Sequence, residues 1–268
     1  MRNLRLIIEY DGTNYAGWQI QKGQRLNTIQ ETVGKALQKI LQEYVKVIGS
    51  GRTDAGVHAL AQVANFKTKS KLPLANIQKA LNSLLPEDIS IKGISEVRED
   101  FHSSYSAKSK IYRYLIFNNR LKSAFFNKYT LRVPYKLNLR LMRQEAGVLL
   151  GSHDFRSFCA SGSDAKTTVR TIKKLSINTI RYMLYANPRL ACFRQAGGRG
   201  RRYPLIIIDI QADGFLYNMA RNIVGSLIET GLGRLEQGAM KKILLAKDRR
   251  LAGPTAPARG LFLIKVNY

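Results

Sequence analysis

The strongest constraint on this chain is the order in which its hydrophobic periodicity switches between strand-like and helix-like spacing. Over residues 4–10 apolar and polar side chains alternate loosely and stop at Asp11-Gly12, the pattern of a strand closed by a turn. Asn27 with Gln30 then resembles a capping box, and Ile29, Val33, Ala36, Leu37, Ile40 and Leu41 recur at helical spacing behind it. Residues 45–48 and 63–66 read as strands. Pro73 suits the first turn of a helix with Leu74, Ile77, Leu81, Leu84 and Leu85 on one face, stopped by Pro86, and Ile89 and Ile91 open another strand. The first hundred residues thus read β-α-β-β-α-β. The remainder repeats that order: a strand at 111–117, a helix at 139–150 ended by Gly151, strands at 169–177 and 205–210, a helix at 215–229, a short extra helix near 240–246 and a last strand at 261–266. No residue-level repeat accompanies it. Split β-α-β units of this kind build antiparallel sheets with helices on one face. The expected fold class is therefore α+β: two ferredoxin-like βαββαβ halves, residues 1–104 and 105–268, sharing a central antiparallel sheet, with a cleft between them as the default site.

Charge narrows what such a cleft binds. Lys and Arg number 44 against 18 Asp and Glu, a net charge of +26 over 268 residues. Lys and Arg gain affinity for nucleic acid by displacing condensed counterions from phosphates, so a polyanionic partner is the first expectation. A generally basic proteome or a lipid-facing surface would give the same excess. No window approaches the ~18 consecutive apolar residues of a membrane span, and Met1-Arg2-Asn3-Leu4 opens no export signal. The expectation is a cytoplasmic protein. Cys159 and Cys192 are too few for a disulfide framework, and His58, His102 and His153 are dispersed, which argues against zinc.

Four segments could carry chemistry. Gly49-Ser50-Gly51-Arg52-Thr53-Asp54-Ala55-Gly56-Val57-His58 sets an acid beside an arginine in a glycine-punctuated loop between two expected strands. Such a loop displays Asp54 and keeps it ionised if a cation lies close, which suits a nucleophile or base; an ordinary turn is the simpler reading. His58 is read as structural. Trp18, in Asp11-Gly12-Thr13-Asn14-Tyr15-Ala16-Gly17-Trp18-Gln19, either stacks on a splayed base or plugs the loop, and both readings stand at this point. Along the strand at 111–117, Tyr112 and Tyr114 share one face and Arg113 takes the other, so one face could stack while the other meets phosphate; core packing is expected for one of the tyrosines. Arg221 and Asn222 interrupt an apolar helix. A buried arginine should find a carboxylate or face a polar cleft, and Asp54 is the proposed partner, against a snorkelling arginine on the helix rim. A Gly/Arg-rich segment at 189–202 reads as an exposed basic loop, a β-hairpin tip.

Gly51-Arg52-Thr53-Asp54-Ala55-Gly56-Val57-His58 resembles the signature of TruA-type tRNA pseudouridine synthases. Further blocks resemble that family in the same order: Glu9-Tyr10-Asp11-Gly12 with Gly17-Trp18-Gln19, Leu85-Pro86-Glu87-Asp88-Ile89, Phe101-His102, Tyr112-Arg113-Tyr114, Met219-Ala220-Arg221-Asn222-Ile223-Val224-Gly225 and Gly260-Leu261-Phe262-Leu263. The resemblance covers essentially the whole chain. It implies the pseudouridine synthase fold, with a basic cleft between the halves, and isomerisation of uridine to pseudouridine at positions 38 to 40 in the anticodon stem-loop of tRNA, without a cofactor. It further implies Asp54 as the catalytic aspartate, Tyr112 as the ring packed against the target base, Arg221 as the partner of the aspartate, and a homodimer holding tRNA. Arg52 is a candidate to brace the space left by a flipped-out base. Attack at C1′, addition at C6 and removal of the C2′ proton all use the ionised carboxylate. Ser104 stands where many relatives carry a basic residue, and the segment 189–202 is longer than usual.

Two other classes are weighed against this enzyme. A noncatalytic RNA-binding protein with a related sheet explains the charge, yet the RRM run of aromatic and basic residues is absent. A glycoside hydrolase needs a pair of carboxylates across the bond, and only Asp54 is well placed.

Overall fold

The computed structural model describes residues 1–20, 26–162, 165–183 and 202–268. Strand β1 (Arg2–Tyr10) buries Leu4, Leu6, Ile8 and Tyr10 and leaves Arg5, Ile7 and Glu9 partly exposed on its other face. Helix α1 (Ile29–Leu41) follows a 3-10 turn, and its cap differs from the expected Asn27: Thr28 takes the non-helical conformation and its hydroxyl accepts the Glu31 N–H at 3.2 Å. Gln30 holds the chain elsewhere, accepting the Ile20 N–H and donating to the Val47 carbonyl. The strand expected at 45–48 shrinks to β2 (Ile48–Gly49); Val45 and Val47 are buried as expected, but only the end of the run reaches a neighbouring strand, at Asn65 and Ala64. Then come β3 (His58–Thr68), α2 (Leu74–Leu84), which starts just after Pro73, and β4 (Ile89–Val97).

The second half begins with β5 (Ser109–Asn118) and a three-residue β6 (Leu131–Val133), continues through α3 (Leu139–Gly147), β7 (Gly151–Asp154) and the long pair β8 (Val169–Met183) and β9 (Arg202–Ala212), and ends with α4 (Met219–Gly231), α5 (Ala239–Ala246) and β10 (Leu261–Asn267). The register of β8 with β9 runs out to Met183 opposite Arg202. The rest of the basic segment at 189–202, and Cys192 with it, lies outside the described residues.

One sheet of ten strands runs through the molecule in the order β4-β1-β3-β10-β5-β9-β8-β7, with β2 added on β3 and β6 on β5. It is not antiparallel throughout, as expected from the element order. β10 pairs parallel with β3, and β6 parallel with β5. β3 is already paired with β1 and β10 with β5, and the two strands join along two register pairs, Phe262 with His58 and Leu263 with Ala59. This seam positions the site. Leu263 also faces Tyr112 on β5, so Ala59, Leu263 and Tyr112 lie side by side across three strands. The loop that leads into β3 from residue 50 is thereby set down beside the second half.

Helices α1 and α2 pack on each other, and α3 packs against α4 and β8. Burying a Leu or Ile side chain contributes about 1.5–3 kcal/mol, and Leu4, Leu6, Ile29, Leu37, Ile77, Leu81, Ile223 and Leu227 are all fully inaccessible. Among the described residues no helix is long and apolar enough to cross a membrane.

Candidate active site

The loop between β2 and β3 is held by its own side chains. Ser50 donates its N–H to the Val63 carbonyl, its hydroxyl pairs with Gln62 Oε1 at 2.6 Å, and Gln62 Nε2 donates to the Gly51 carbonyl at 3.0 Å. The Thr53 hydroxyl meets that of buried Tyr10 at 2.7 Å, and the Trp18 backbone N–H donates to the Thr53 carbonyl. Trp18 is 1% exposed. Its indole lies so close over Gly49 that a Cβ there would fall 2.4 Å from the ring. Of the two readings of Trp18 the plug is therefore the observed one: it braces the loop from behind and offers no face to a base.

So braced, the loop turns Asp54 into a cleft of about 810 Å³ whose walls come from both halves of the chain. Arg52, Asp54, Tyr112 and Arg221, the four residues singled out in the sequence, all line it, together with Lys110 and Phe215. Arg221 Nη1 donates to Asp54 Oδ2 at 3.2 Å, the two side chains being 17% and 23% exposed. The arginine is fixed on two further sides: Nε donates to the Ala256 carbonyl at 2.7 Å and Nη1 to Asn218 Oδ1 at 2.8 Å. It does not snorkel.

The helix carrying Arg221 starts later than the periodicity suggests. An apolar face at 215–229 predicts a start at Phe215, whereas α4 begins at Met219 because Asn218 adopts a left-handed conformation with φ 58°. Breaking the helix there releases the Asn218 side chain to hold Arg221. It also lets Phe215 leave the helical face and meet Tyr112 edge-on, with ring centroids 4.8 Å apart.

Tyr112 and Tyr114 share the buried face of β5, as alternation requires, but differ in what they touch. Tyr114 is 1% exposed and donates its hydroxyl to the Pro257 carbonyl at 2.8 Å, a core role. Tyr112 is 7% exposed and lines the cleft. Burial, then the proximity of Tyr10 and Asp54, pushes its phenol well above the ordinary value, so it stays neutral and serves as a surface rather than a proton carrier. On the other face Arg113 is not reserved for phosphate, as the strand pattern suggested: it grips Asp209 with two hydrogen bonds of 2.8 and 2.9 Å. His58 is structural, as expected. It is 1% exposed, lies with Nδ1 3.0 Å from Asp11 Oδ1 and stacks on Phe262.

Two opposed effects set the charge of Asp54. Burial disfavours the carboxylate and raises its pKa above the usual carboxylate value, while the Arg221 guanidinium pulls it down, by field and by hydrogen bond. Burial is the larger. The site is thus an anionic oxygen made more basic by its surroundings and oriented by one cation, in a cleft walled by aromatic rings. That arrangement suits nucleophilic attack or proton abstraction on a flat, partly apolar group. Among the described residues no cluster of His, Cys, Asp and Glu is placed to hold a metal ion.

Lys110 is the lining residue that sequence reasoning missed. The signal was present: it lies two positions before Tyr112 on β5, hence on the same face of the strand. Ser104, where a basic residue is expected from the resemblance, donates its backbone N–H to His102 Nδ1 at 3.2 Å.

Comparison with known proteins identifies the family. A family model described as tRNA pseudouridine synthase matches residues 6–106 and 146–268, including every cleft residue named above except Lys110 and Tyr112, which fall in the interval between the two matched stretches. The chain is 45% identical over 268 residues to the tRNA pseudouridine synthase A of Acetivibrio thermocellus and 44% identical to that of a Thermoanaerobacter species, each alignment covering the whole of both proteins. The protein of the same name from Moorella thermoacetica is 42% identical over 265 residues, 99% of each chain.

Proposed function

The chain belongs to the tRNA pseudouridine synthase family, and on that footing we propose that it isomerises uridine to pseudouridine at positions 38 to 40 in the anticodon stem-loop of tRNA. The observation that carries the reading is the Asp54–Arg221 pair, contributed by opposite halves of the chain, at the wall of a cleft that Tyr112 also lines. In this reading the target nucleotide is flipped out of the RNA, Arg52 on the exposed rim braces the vacated stack, and the base lies against Tyr112. The N1–C1′ bond breaks, the uracil turns while held by the aromatic wall, C5 joins C1′ and then loses its proton, and N1 takes one up, so that the product is an isomer of the substrate. Asp54 acts in its ionised form through attack at C1′, addition at C6 or removal of the C2′ proton. Arg221 keeps that form oriented and is a positioning residue. The chemistry runs on these side chains, with no cofactor in the scheme.

We read the same-order strand sets β4-β1-β3-β2 and β10-β5-β9-β8 as two ferredoxin-like halves, residues 1–104 and 105–268, and the working protein as a cytoplasmic homodimer. The net charge of +26 supplies the general attraction for tRNA.

The direct test is to incubate the purified protein with unmodified tRNA and map pseudouridine by position. New pseudouridine confined to positions 38 to 40 is the expected result, and modification elsewhere would contradict the site assignment. Binding should also weaken steeply with salt, the affinity falling with a log–log slope of roughly −0.7 to −0.9 per phosphate contacted. A flat response would contradict the basic-cleft reading.

A further inference from the structure

One end of the cleft holds positive charge that the reading above does not use. Lys110 extends from β5 over the Asp54 loop until its ammonium occupies the place where residue 51 would carry a side chain: a Cβ on Gly51 would lie 2.7 Å from Lys110 Nζ and 3.5 Å from Cε. The lysine end thus lies directly over Gly51 at the cleft wall. Once there, the ammonium has no hydrogen-bond acceptor and no carboxylate among the described residues. Arg170 stands behind it from β8. Its guanidinium is tied to the Thr167 and Val169 carbonyls at 2.9 and 2.6 Å and packs over Gly214, where a Cβ would lie 3.1 Å from Nε. β9 brings the two strands together, since Ala212 is the register partner of both Lys110 and Ile172. The nearby carboxylate, Asp213, accepts the Thr171 N–H and forms no ion pair with either of them among the described residues.

Cations gathered without a counter-ion at the edge of a cleft leave a place for an anion. Asp54 is already matched to Arg221, and it is not among the groups acting on Lys110. Burial and the repulsion of Arg170 bring the ammonium down to about 8, a cost that an anionic ligand would offset. The substrate of this family brings such anions in regular array, one per nucleotide, and phosphate contacts are what fix the register of a nucleic acid on a protein.

We propose that Lys110, backed by Arg170, forms a phosphate-binding site at the end of the Asp54 cleft that grips the RNA backbone phosphate beside the uridine being isomerised. The proposal rests on the tRNA-isomerising reading and adds to it the contact that sets the sugar against Asp54. Lys110 is here a positioning residue toward the reaction and a direct ligand of the RNA.

The test uses the full-length protein and an anticodon stem-loop in which each phosphate flanking the target uridines is replaced, one at a time, by an uncharged methylphosphonate. Lys110→Met should lower kcat/KM by roughly 10- to 100-fold, the scale of losing a hydrogen bond to a charged group, and Lys110→Arg should recover most of it. Binding of Lys110→Met should show a salt slope shallower by about 1. One methylphosphonate should impose a similar loss on the wild-type protein and almost none on Lys110→Met, because the contact it deletes is already missing. A merely structural lysine would leave every methylphosphonate penalty intact in the variant, and that result, or an undiminished kcat/KM, would overturn the proposal. Should Lys110→Met fail to fold, Arg170→Met carries the same comparison with a smaller loss. If the wild-type protein forms no pseudouridine, the functional reading fails by itself. The phosphate site is then decided by stem-loop affinity, where the methylphosphonate and Lys110→Met losses should still coincide.

Discussion

Asp54→Asn is expected to abolish pseudouridine formation, lowering the single-turnover rate by about 10⁴-fold, the scale on which enzymes lose activity when a catalytic carboxylate is removed. The substitution keeps the shape of the side chain and one acceptor oxygen for the Arg221 guanidinium, so the loop held by Ser50, Gln62 and Thr53 should persist. What disappears is the charge, and with it the nucleophile or base. Affinity for tRNA should stay within about threefold of wild type or tighten slightly, since one repulsive charge leaves a phosphate-binding cleft. Filter binding and a single-turnover assay on the same preparation separate the two quantities. Turnover by the Asn variant would remove Asp54 from the chemistry and leave the chain an RNA-binding protein whose active group lies elsewhere.

Arg221→Ala has the second largest expected effect. Removing one partner of a buried ion pair leaves the other charge uncompensated at a cost of about 3–5 kcal/mol, and because both side chains keep some access to solvent the low end applies here. Asp54 then escapes part of the cost by taking up a proton or by turning toward water. Either way the oriented carboxylate is lost, and turnover should fall by roughly 100-fold at neutral pH, with a lower melting temperature. Arg221→Lys should recover little. The guanidinium serves three acceptors at once, the Ala256 carbonyl, Asn218 Oδ1 and Asp54 Oδ2, and a single ammonium cannot span that fork. An unchanged rate in Arg221→Ala would mean that the guanidinium merely lies along the cleft.

The elements legible in the sequence were those whose apolar period is strong and local. Strand β1 with Leu4, Leu6 and Ile8, helix α1 with Ile29, Val33 and Leu37, and the β-branched run of β9 each declare themselves within a dozen residues. The short strands β6 and β7 did not, because three or four residues carry no period; pairing with β5 and β8 alone makes them strands. The parallel seam of β3 with β10 joins residues about two hundred positions apart, and no local pattern announces it. Loop chemistry was only half legible. The glycines around Asp54 marked a tight turn, but that the Trp18 indole lies over Gly49 and the Lys110 ammonium over Gly51 is a matter of tertiary approach. Arg221 stood out as a charge inside an apolar helix, a local conflict of the kind found at functional sites. Its partner was identifiable because the chain offers few acids: 18 against 44 basic residues. Lys110 was hidden by that same abundance of cations.

In the proposed reaction the working group is the ionised Asp54 carboxylate, made more basic by burial and held down by Arg221. The pH dependence of the single-turnover rate between about pH 4 and 8, measured for the wild-type protein and for Arg221→Gln, tests it most directly. Burial raises the carboxyl above its usual value, so the wild-type rate should be constant at neutral pH and fall, with one proton taken up, as pH drops through that raised pKa. Deleting the guanidinium removes the influence that lowers it, so in Arg221→Gln the acid limb should move to higher pH. An acid limb that stays in the same place in both proteins, or activity that persists in acid where the carboxyl is protonated, would contradict the account.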